Sequence, residues 1–187
     1  ETLQPLLAAN KAIPPNAFCS LKQAVVHLNT PANKTVYRPQ YAIAHAHRPL
    51  VHETITKWLA DGIIRESPPD VRGKWNNPLT LAPKKDEKGN KTKFRLCLDP
   101  RALNQLLPDD WFYIPHIDEI FEKIGQANVF TTLDLTQAFH RLPIYKPDQV
   151  KTSFTNIVDG RSYCFVSMPF GIKSTSSKFQ RCMNVLL

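Results

Sequence analysis

The sequence predicts an α+β domain, because two kinds of apolar periodicity alternate along its 187 residues. Segments with apolar residues three or four apart, typical of amphipathic helices, are separated by short β-branched runs that meet at turns. With 42% hydrophobic and 21% charged residues, the composition is that of a globular protein with a real core. The order of these segments fits one mixed domain without internal repeats.

The charge balance is basic, with 24 lysines and arginines against 16 aspartates and glutamates and a net charge of +8. Such an excess favours a polyanionic partner, nucleic acid above all, over a merely basic surface. No apolar run approaches the roughly 18 residues of a membrane span, and the N-terminus has no signal-peptide pattern. We therefore expect an intracellular protein, and a first residue other than Met indicates a piece of a longer chain.

Cysteine and histidine spacing gives no support to a metal site. The four cysteines lie far apart without a CxxC pair, which argues against both a zinc site and a disulfide framework and predicts reduced thiols. The cluster of His45, His47 and His52 lacks a fourth ligand at a standard spacing. A polar loop leading into a helix is the favoured interpretation of this cluster.

The first quarter of the chain differs in pattern from the element that follows it. Residues 1–48 contain scattered prolines and few periodic apolar positions, which predicts an extended segment that wraps a surface. A helix should begin at Pro49 and end at Asp61-Gly62, because glycine tolerates the positive φ of a helix stop. Its apolar stripe consists of Leu50, Val51, Ile55, Trp58 and Leu59.

A β-hairpin with a cationic tip is predicted next. Residues 75–83 and 94–99 have the apolar character of two strands, and Gly89-Asn90 marks the turn region between them. Taken alone, such a charged tip is typical of a solvated loop. Its cations are Lys84, Lys85, Lys88, Lys91, Lys93 and Arg95, against only Asp86 and Glu87.

The second half of the chain predicts two further helices and a second hairpin. Residues 116–123 form an amphipathic stripe, and residues 151–155 and 162–166 flank a turn as hairpin strands do. A last helix over 174–187 begins with hydroxyl residues that suit an N-cap. The two helical stripes consist of Ile117, Ile120, Phe121 and Ile124 and of Phe179, Met183 and Leu186.

Residues 129–135 form a β-rich apolar run that contains one carboxylate, Asp134, just before a tight turn over 136–140. We predict a buried strand here. An ionised carboxylate in a buried strand is costly unless a positive group meets it, which predicts a metal ion or a cationic partner beside Asp134. The alternative is that Asp134 only caps or pairs at the end of the strand.

Three motifs in fixed order resemble those of the reverse transcriptases of gypsy-type long-terminal-repeat retrotransposons and, more distantly, the retroviral enzymes. They are KFRLCLDPRALN at 93–104, LDLTQAFHRLPI at 133–144 followed by DQVKTSF, and MPFGIKSTSSKFQRCMNVLL at 168–187. The resemblance covers about residues 40–187 and combines several motifs. It implies an RNA-directed DNA polymerase that binds an RNA or DNA primer-template and dNTP in the cytoplasm, a virus-like particle or the nucleus.

The resemblance also implies a division of the chain. It predicts a right-hand polymerase with a fingers subdomain and an incomplete, ferredoxin-like palm. An extended N-terminal segment would occupy 1–48, the fingers would consist of 49–108 and 142–174, and the partial palm would consist of 109–141 and 175–187.

The central motif carries the chemistry that the resemblance implies. Asp134 matches the family's first catalytic carboxylate, and the backbone carbonyl of Leu135 would be its companion ligand for Mg²⁺ in a two-metal mechanism. The N–H groups of Gln137 and Ala138 would cradle the triphosphate. Phe139 would form an aromatic floor under the sugar that excludes a 2′-hydroxyl, with a core aromatic as the alternative.

The hairpin and the last motif supply the other nucleotide contacts that the resemblance implies. Arg95 matches the guanidinium that lies across the incoming base and phosphates, where a planar fork suits bidentate binding. Lys84 or Lys85 would reach the γ-phosphate, and Lys85 is the favoured choice. Phe170 would stack beside the nucleotide base.

A second group of residues corresponds to template contacts. Asp99 and Arg101 could pair with each other while Arg101 or Asn104 touches the template. Pro169 and Gly171 belong to the segment beside the base, where glycine would allow close approach.

The chain departs from the family pattern in the carboxylates. The aromatic-x-Asp-Asp motif is absent and is expected after Leu187, while the adjacent pair Asp109-Asp110 lies upstream in a loop and is interpreted as a turn. One carboxylate cannot hold two divalent ions, so we expect no polymerisation by this chain alone. Residues 174–177 also replace a small-residue run that contains proline in many relatives.

Two other functions stay open at this point. The chain could be a truncated or domesticated module that binds nucleic acid without catalysis, which the net charge of +8 and the missing aspartate pair favour. It could also be an interaction module, because a strand at 129–135 without neighbours would leave an open edge for self-association.

Overall fold

A computed structural model describes residues 3–14, 16–85, 89, 91–113, 115–125, 127–132 and 134–186. It has the predicted mixture of helices and strands. The helices are α1 (Gln4–Ala12), α2 (Arg48–Ala60), α3 (Arg101–Asn104), α4 (Ile117–Ile124) and α5 (Thr175–Leu186). The strands are β1 (Ile64–Glu66), β2 (Leu79–Lys85), β3 (Lys91–Leu98), β4 (Phe154–Thr155) and β5 (Ser162–Phe165). Short 3-10 helices lie at Lys22–Ala24, His45–His47, Pro69–Val71, Ala138–Arg141 and Lys146–Thr152.

The strands form two antiparallel sheets. β2 pairs with β3, with Leu79 opposite Leu98, which confirms the first predicted hairpin. In the second sheet β5 lies between β1 and β4, so the predicted hairpin of β4 and β5 is confirmed. The third strand, β1, is absent from the sequence predictions because three residues are too short to show an alternation.

One part of the core lies between α2 and the three-stranded sheet. Phe154 and Phe165 are fully buried with their ring centroids 5.6 Å apart, and the Trp58 ring on α2 lies 5.3 Å from that of Phe165. On α2, Val51 and Ile55 are buried and Leu50 and Trp58 half-buried, whereas Leu59 is 40% exposed. The predicted apolar stripe of α2 is therefore confirmed except at Leu59. α2 is thereby fixed against the sheet.

The N-terminal segment is only partly extended, because it contains α1, whose residues are all exposed. Beyond α1 it packs into the rest of the chain, with Ala24, Val26 and Leu28 fully buried in the core. The main-chain N–H of Leu28 donates to Asp148 Oδ2 at 3.0 Å, and Lys151 Nζ donates to the Leu28 carbonyl at 2.7 Å. Asp148 and Lys151 also pair with each other at 2.7 Å. This one ion pair therefore binds both the main-chain N–H and the carbonyl of Leu28.

The predicted buried strand at 129–135 is wrong. Its described residues form no strand, and Val129, Phe130 and Leu135 are 85%, 62% and 51% exposed. A strand needs the hydrogen bonds of a neighbour, and no described segment pairs with this one. Asp134 is exposed as well, so the burial cost from which we inferred a positive partner does not apply.

Two helices form where the sequence predicts them but bury less of their apolar stripes than expected. On α4, Ile117 is 67% and Phe121 60% exposed. On α5, Cys182 is buried and Phe179 half-buried, whereas Leu186 is 57% exposed. No helix in the described part of the chain is long and apolar enough to cross a membrane.

Candidate functional site

A cleft of about 410 Å³ opens between α2, the β2–β3 hairpin and the loop before α5. Four residues predicted to bind nucleotide line it, although they come from separate segments of the chain. These four are Lys84, Arg95, Gln137 and Phe170. Pro169, predicted on the template side, also lines it. The other lining residues are Leu50, Thr54, Trp58, Phe94, Leu96, Cys97, Leu98, His140 and Phe165.

The hairpin supplies the cationic side of this cleft. Its register sets Arg95 opposite Ala82 and Lys93 opposite Lys84. Because alternate residues of a strand share a face, Lys84 and Arg95 extend from the same face of the hairpin. The side chain of Lys85, the favoured γ-phosphate ligand, lies outside the described residues, so the choice between the two lysines stays a prediction.

The turn after Asp134 has an unusual backbone. Gln137 has φ 52° and ψ 44°, and among the described residues no other non-glycine residue has a positive φ. Such a conformation is disfavoured for residues with a Cβ and is often found at functional sites. The N–H groups of Gln137 and Ala138 donate no hydrogen bond within the described chain, which leaves them available to an anion. The Ala138 side chain lines a separate apolar groove on the other side of the turn.

Phe139 is half-buried behind the cleft rather than on its wall. Its ring lies 5.6 Å from that of Phe170 and 5.7 Å from that of Phe179, both edge to face. Phe170 is 46% exposed and does line the cleft. The Phe139 ring therefore helps to hold the Phe170 ring in its position on the cleft wall.

Sequence reasoning missed His140, which lines the cleft and is only 7% exposed. Its ring lies 5.3 Å from that of Phe170, edge to face. Burial lowers the pKa of His140, while a hydrogen bond with the Met168 main chain opposes this shift. The Nδ1 atom is buried and has no hydrogen-bond partner among the described residues. A single histidine in an apolar run carries no signal by which this position could have been found.

A second cleft, of about 430 Å³, lies beside the base of the hairpin and contains Asp99 and Arg101. Arg101 donates from Nε to Asp99 Oδ1 at 2.9 Å and from Nη2 to Oδ2 at 2.7 Å, which confirms the expected pairing. The Tyr41 hydroxyl donates to the same Oδ2 at 3.1 Å. The hydrogen bond from Arg101 is the main cause that lowers the pKa of Asp99. Sequence reasoning missed Tyr41 because its partner lies 58 residues away.

Asn104 and Gly171 hold each other in place. The Asn104 amide donates to the Gly171 carbonyl at 2.8 Å and accepts from the Lys173 N–H at 3.0 Å. Gly171 has φ +94°, and a Cβ at this position would lie 3.2 Å from Pro100 Cδ. The close approach that requires glycine here is therefore to Pro100 within the chain. Both ends of the Asn104 amide are occupied, so a template contact by Asn104 stays a prediction.

Comparison with known proteins assigns a family to this arrangement. Residues 82–187, which are 106 of the 187, match the family model described as reverse transcriptase (RNA-dependent DNA polymerase). The chain belongs to the reverse transcriptase family.

Several of its relatives among curated proteins are retrotransposon polyproteins. The chain is 36% identical over 160 residues to the retrovirus-related Pol polyprotein from transposon 297 of Drosophila melanogaster, which covers 86% of this chain and 14% of the relative. It is 35% identical over 180 residues to that from transposon gypsy of the same organism, covering 95% of this chain and 16% of the relative. The chain thus spans about one-sixth or less of the polyproteins that it matches.

A solved structure shares the fold of this reverse transcriptase chain. The native prototype foamy virus protease-reverse transcriptase aligns with 99% of this chain and 24% of its own length, at a TM-score of 0.71. With 22% sequence identity, this similarity supports the fold alone.

The candidate metal ligands of this reverse transcriptase chain are incomplete. The Asp134 carboxylate is exposed and has no hydrogen bond or ion pair among the described residues, so it is available to a cation. Within the described ranges, however, no three His, Cys, Asp or Glu side chains cluster as metal ligands. Asp134 and the Leu135 carbonyl fit one edge of a metal site and are insufficient for two ions.

The adjacent pair Asp109-Asp110 forms ion pairs with cations on α5 or just before it. Asp110 accepts from Arg181 at 2.5 Å and lies 3.6 Å from Lys178, while Asp109 pairs with Lys173 at 3.0 Å. These three cations lie on α5 or just before it. The pairing agrees with the interpretation of Asp109-Asp110 as a structural turn rather than a catalytic pair.

Proposed function

We propose that this chain is the part of an RNA-directed DNA polymerase that binds primer-template and the incoming dNTP for nucleotidyl transfer. The observation that carries the proposal is the cleft in which Lys84, Arg95, Gln137 and Phe170 meet. Cations, a turn with available N–H groups and an exposed aromatic ring are what a triphosphate and a base require. The match to the reverse transcriptase family supports the same reaction class.

The roles within the cleft follow from its chemistry. Arg95 and Lys84 bind the triphosphate from the hairpin side, and the N–H groups of Gln137 and Ala138 bind it from the turn. Phe170 contacts the base, and Phe139 supports Phe170 from behind at 5.6 Å. The sugar then lies between the turn and Phe170, and Phe139 would be the ring that excludes a 2′-hydroxyl.

The template strand passes along the second cleft. Arg101 is 80% exposed, so its outer N–H groups can reach a phosphate or a base edge while Asp99 fixes the inner ones. Pro169 lines the nucleotide cleft, and Gly171 lies two residues further along the same loop, where its carbonyl accepts from Asn104. The overall charge of +8 favours such a polyanionic partner.

Asp134 and the Leu135 carbonyl would hold one edge of the Mg²⁺ site, and the remaining carboxylates would come from outside this chain. When bound, the ions lower the pKa of the primer hydroxyl and neutralise the leaving pyrophosphate. The chain's own contribution is to bind and orient the nucleotide beside Asp134. Binding without turnover is therefore the expected behaviour of the 187 residues alone.

The subdomain assignment belongs to the same proposal. Residues 49–108 and 142–174 act as fingers that carry both clefts, and residues 109–141 and 175–187 form part of the palm, with 1–48 as a surface segment. The polymerase would work inside the cell, in the cytoplasm, a virus-like particle or the nucleus.

Primer extension by a Pol polyprotein that carries this chain at the matching position tests the proposal. Asp134→Asn should abolish extension, because an amide cannot replace a carboxylate ligand of Mg²⁺. Asp118→Asn, which changes an exposed carboxylate on α4, is the matched control and should extend normally. Equal extension by Asp134→Asn and the wild type would remove Asp134 from the mechanism.

The exposed apolar surface favours a second, compatible function, self-association. Val129 and Phe130 are 85% and 62% exposed, and the apolar face of α4 is exposed as well. Large exposed apolar side chains can mark interaction sites, and a second copy of the chain is the proposed occupant. Sedimentation should show a monomer-dimer equilibrium that Phe130→Ser weakens. A concentration-independent monomer would contradict self-association and leave the polymerase proposal intact.

A further inference from the structure

Arg141 connects the turn after Asp134 to the N-terminal segment. From its guanidinium, Nε donates to the Thr136 carbonyl at 3.3 Å and Nη1 donates to the Ala17 carbonyl at 3.2 Å. The main-chain carbonyl of Arg141 accepts from the Cys19 N–H at 2.8 Å. One residue therefore binds the N-terminal segment at two points and the turn at a third.

The charge of Arg141 is not neutralised by a carboxylate. Arg141 is half-buried, and none of the salt bridges among the described residues includes it. Its guanidinium donates instead to two neutral main-chain carbonyls, and hydrogen bonds from a charged donor are stronger than those between neutral groups. Two such bonds fix the backbone of the turn relative to the N-terminal segment.

The bond to the Thr136 carbonyl determines where the next N–H group points. The described chain contains no cis peptide, and in a planar trans peptide the C=O of one residue and the N–H of the next point in opposite directions. Because Arg141 holds the Thr136 carbonyl on its own side of the turn, the Gln137 N–H points away from Arg141. Gln137 has a left-handed backbone with φ 52°, which is disfavoured for a residue with a Cβ, so the hydrogen bond also stabilises this conformation.

Arg141 lies on the far side of the turn from the nucleotide cleft. It lines the apolar groove of about 240 Å³, together with Ala138 and residues 17–19, whereas Gln137 lines the cleft. In the described chain, neither Arg141 nor any residue of 1–48 is among those that line the cleft. An effect of Arg141 on a bound nucleotide must therefore pass through the turn.

We propose that Arg141 is a positioning residue of the nucleotide site, which couples the N-terminal segment to the turn and directs the Gln137 N–H toward the triphosphate of the incoming dNTP. This inference rests on the proposed function, because it requires that the cleft bind a dNTP. It gives residues 17–19 a part in nucleotide binding, although they do not reach the cleft.

The first experiment titrates dTTP into the 187-residue chain with Mg²⁺ and a primer-template that has a dideoxy-terminated primer and adenine as the next template base. Arg141→Met keeps an unbranched stem in the groove but removes the donors. It should bind dTTP about three- to tenfold more weakly, as the loss of one oriented hydrogen bond allows. Its affinity for the primer-template without dTTP should equal that of the wild type. Arg161→Met, at an exposed arginine between β4 and β5, removes the same charge and should bind dTTP as the wild type does.

The second measurement reports the backbone of the turn directly, without nucleotide. The three-bond coupling between the N–H and Hα protons of Gln137, together with its ¹³C shifts, depends on φ. In the wild type these values should be those of a positive φ, and in Arg141→Met they should move toward the average of several conformations. A residue that contributes only to overall stability would not change them in a folded variant.

Arg141→Lys keeps the inference testable if Arg141→Met folds poorly. It retains the charge but has one ammonium in place of the fork, so it should restore only part of the dTTP affinity. Wild-type dTTP affinity in folded Arg141→Met, or in Arg141→Lys if the former does not fold, would overturn the role of Arg141. An equal loss of dTTP and primer-template binding, or an unchanged φ of Gln137, would overturn it too and leave the proposed function standing. No binding of dTTP by the wild type would contradict the proposed function itself, and this inference with it.

Discussion

At the scale of single residues, the ion pair with Asp99 pre-organises the Arg101 side chain before any ligand binds. Two hydrogen bonds, at 2.9 Å and 2.7 Å, fix one edge of the guanidinium and leave the rest of an 80% exposed side chain toward the second cleft. Tyr41 fixes the carboxylate from the other side at 3.1 Å. The pair therefore holds Arg101 ready for a ligand at little further entropic cost.

The pair predicts a pH dependence. Because Arg101 lowers the pKa of Asp99 below 3.8, the pair stabilises the fold above that ordinary value, and the stabilisation is lost as pH falls through the lowered pKa. Arg101→Ala should raise the pKa of Asp99 toward its ordinary value in an NMR titration and should weaken primer-template binding about tenfold. An unchanged pKa of Asp99 in Arg101→Ala would contradict this role.

Gly171 predicts a stability effect in the loop before α5. Gly171→Ala should lower the free energy of unfolding by about 1–3 kcal/mol, because the positive φ is strained and the new Cβ would lie 3.2 Å from Pro100 Cδ. Gly160→Ala is the matched control, since its φ is +70° but nothing lies within 4 Å of a Cβ there. Urea unfolding should show the larger loss for Gly171→Ala, and equal losses would exclude a packing contribution from Pro100.

At the scale of elements, the local sequence pattern was sufficient to predict a strand where its pairing partner lies close in sequence. The β2–β3 and β4–β5 hairpins were predictable because each turn fixes its own pairing. The run at 129–135 has the same strand propensity but no described partner, so its β-branched residues stay exposed. α1 was missed although a proline in its first turn suits a helix start, because nothing in the described chain buries any of its residues.

The anchoring of α5 predicts a difference between two adjacent aspartates. Asp110 has a side-chain exposure of 14% and contacts Arg181 and Lys178, whereas Asp109 is 70% exposed and contacts Lys173. Asp110→Asn should therefore lower the free energy of unfolding by about 1–2 kcal/mol, and Asp109→Asn by no more than a few tenths. Similar losses in thermal denaturation would show that Asp110 does not anchor α5.

At the scale of the whole molecule, the residues of the candidate site could be identified only from the sequence motifs and the fold together. The resemblance predicted Lys84, Arg95, Gln137 and Phe170 from separate segments, and the cleft brings these four together. Tyr41 and His140 could not be found in this way, because their roles arise only from contacts with residues distant in sequence. The exposure of Asp134 could not be predicted either, because it depends on whether a segment distant in sequence pairs with residues 129–135.

Binding of dTTP to the chain with a primer-template, measured for wild type and Arg95→Ala, tests the central claim most directly. Loss of charge-assisted hydrogen bonds to phosphate should weaken dTTP binding at least about tenfold in Arg95→Ala. Arg95→Lys should restore only part of the affinity, because it lacks the planar fork. Lys34→Ala, at an exposed cation of the N-terminal segment, is the matched control and should bind as the wild type does. Wild-type affinity for dTTP in Arg95→Ala would contradict a nucleotide site in this cleft.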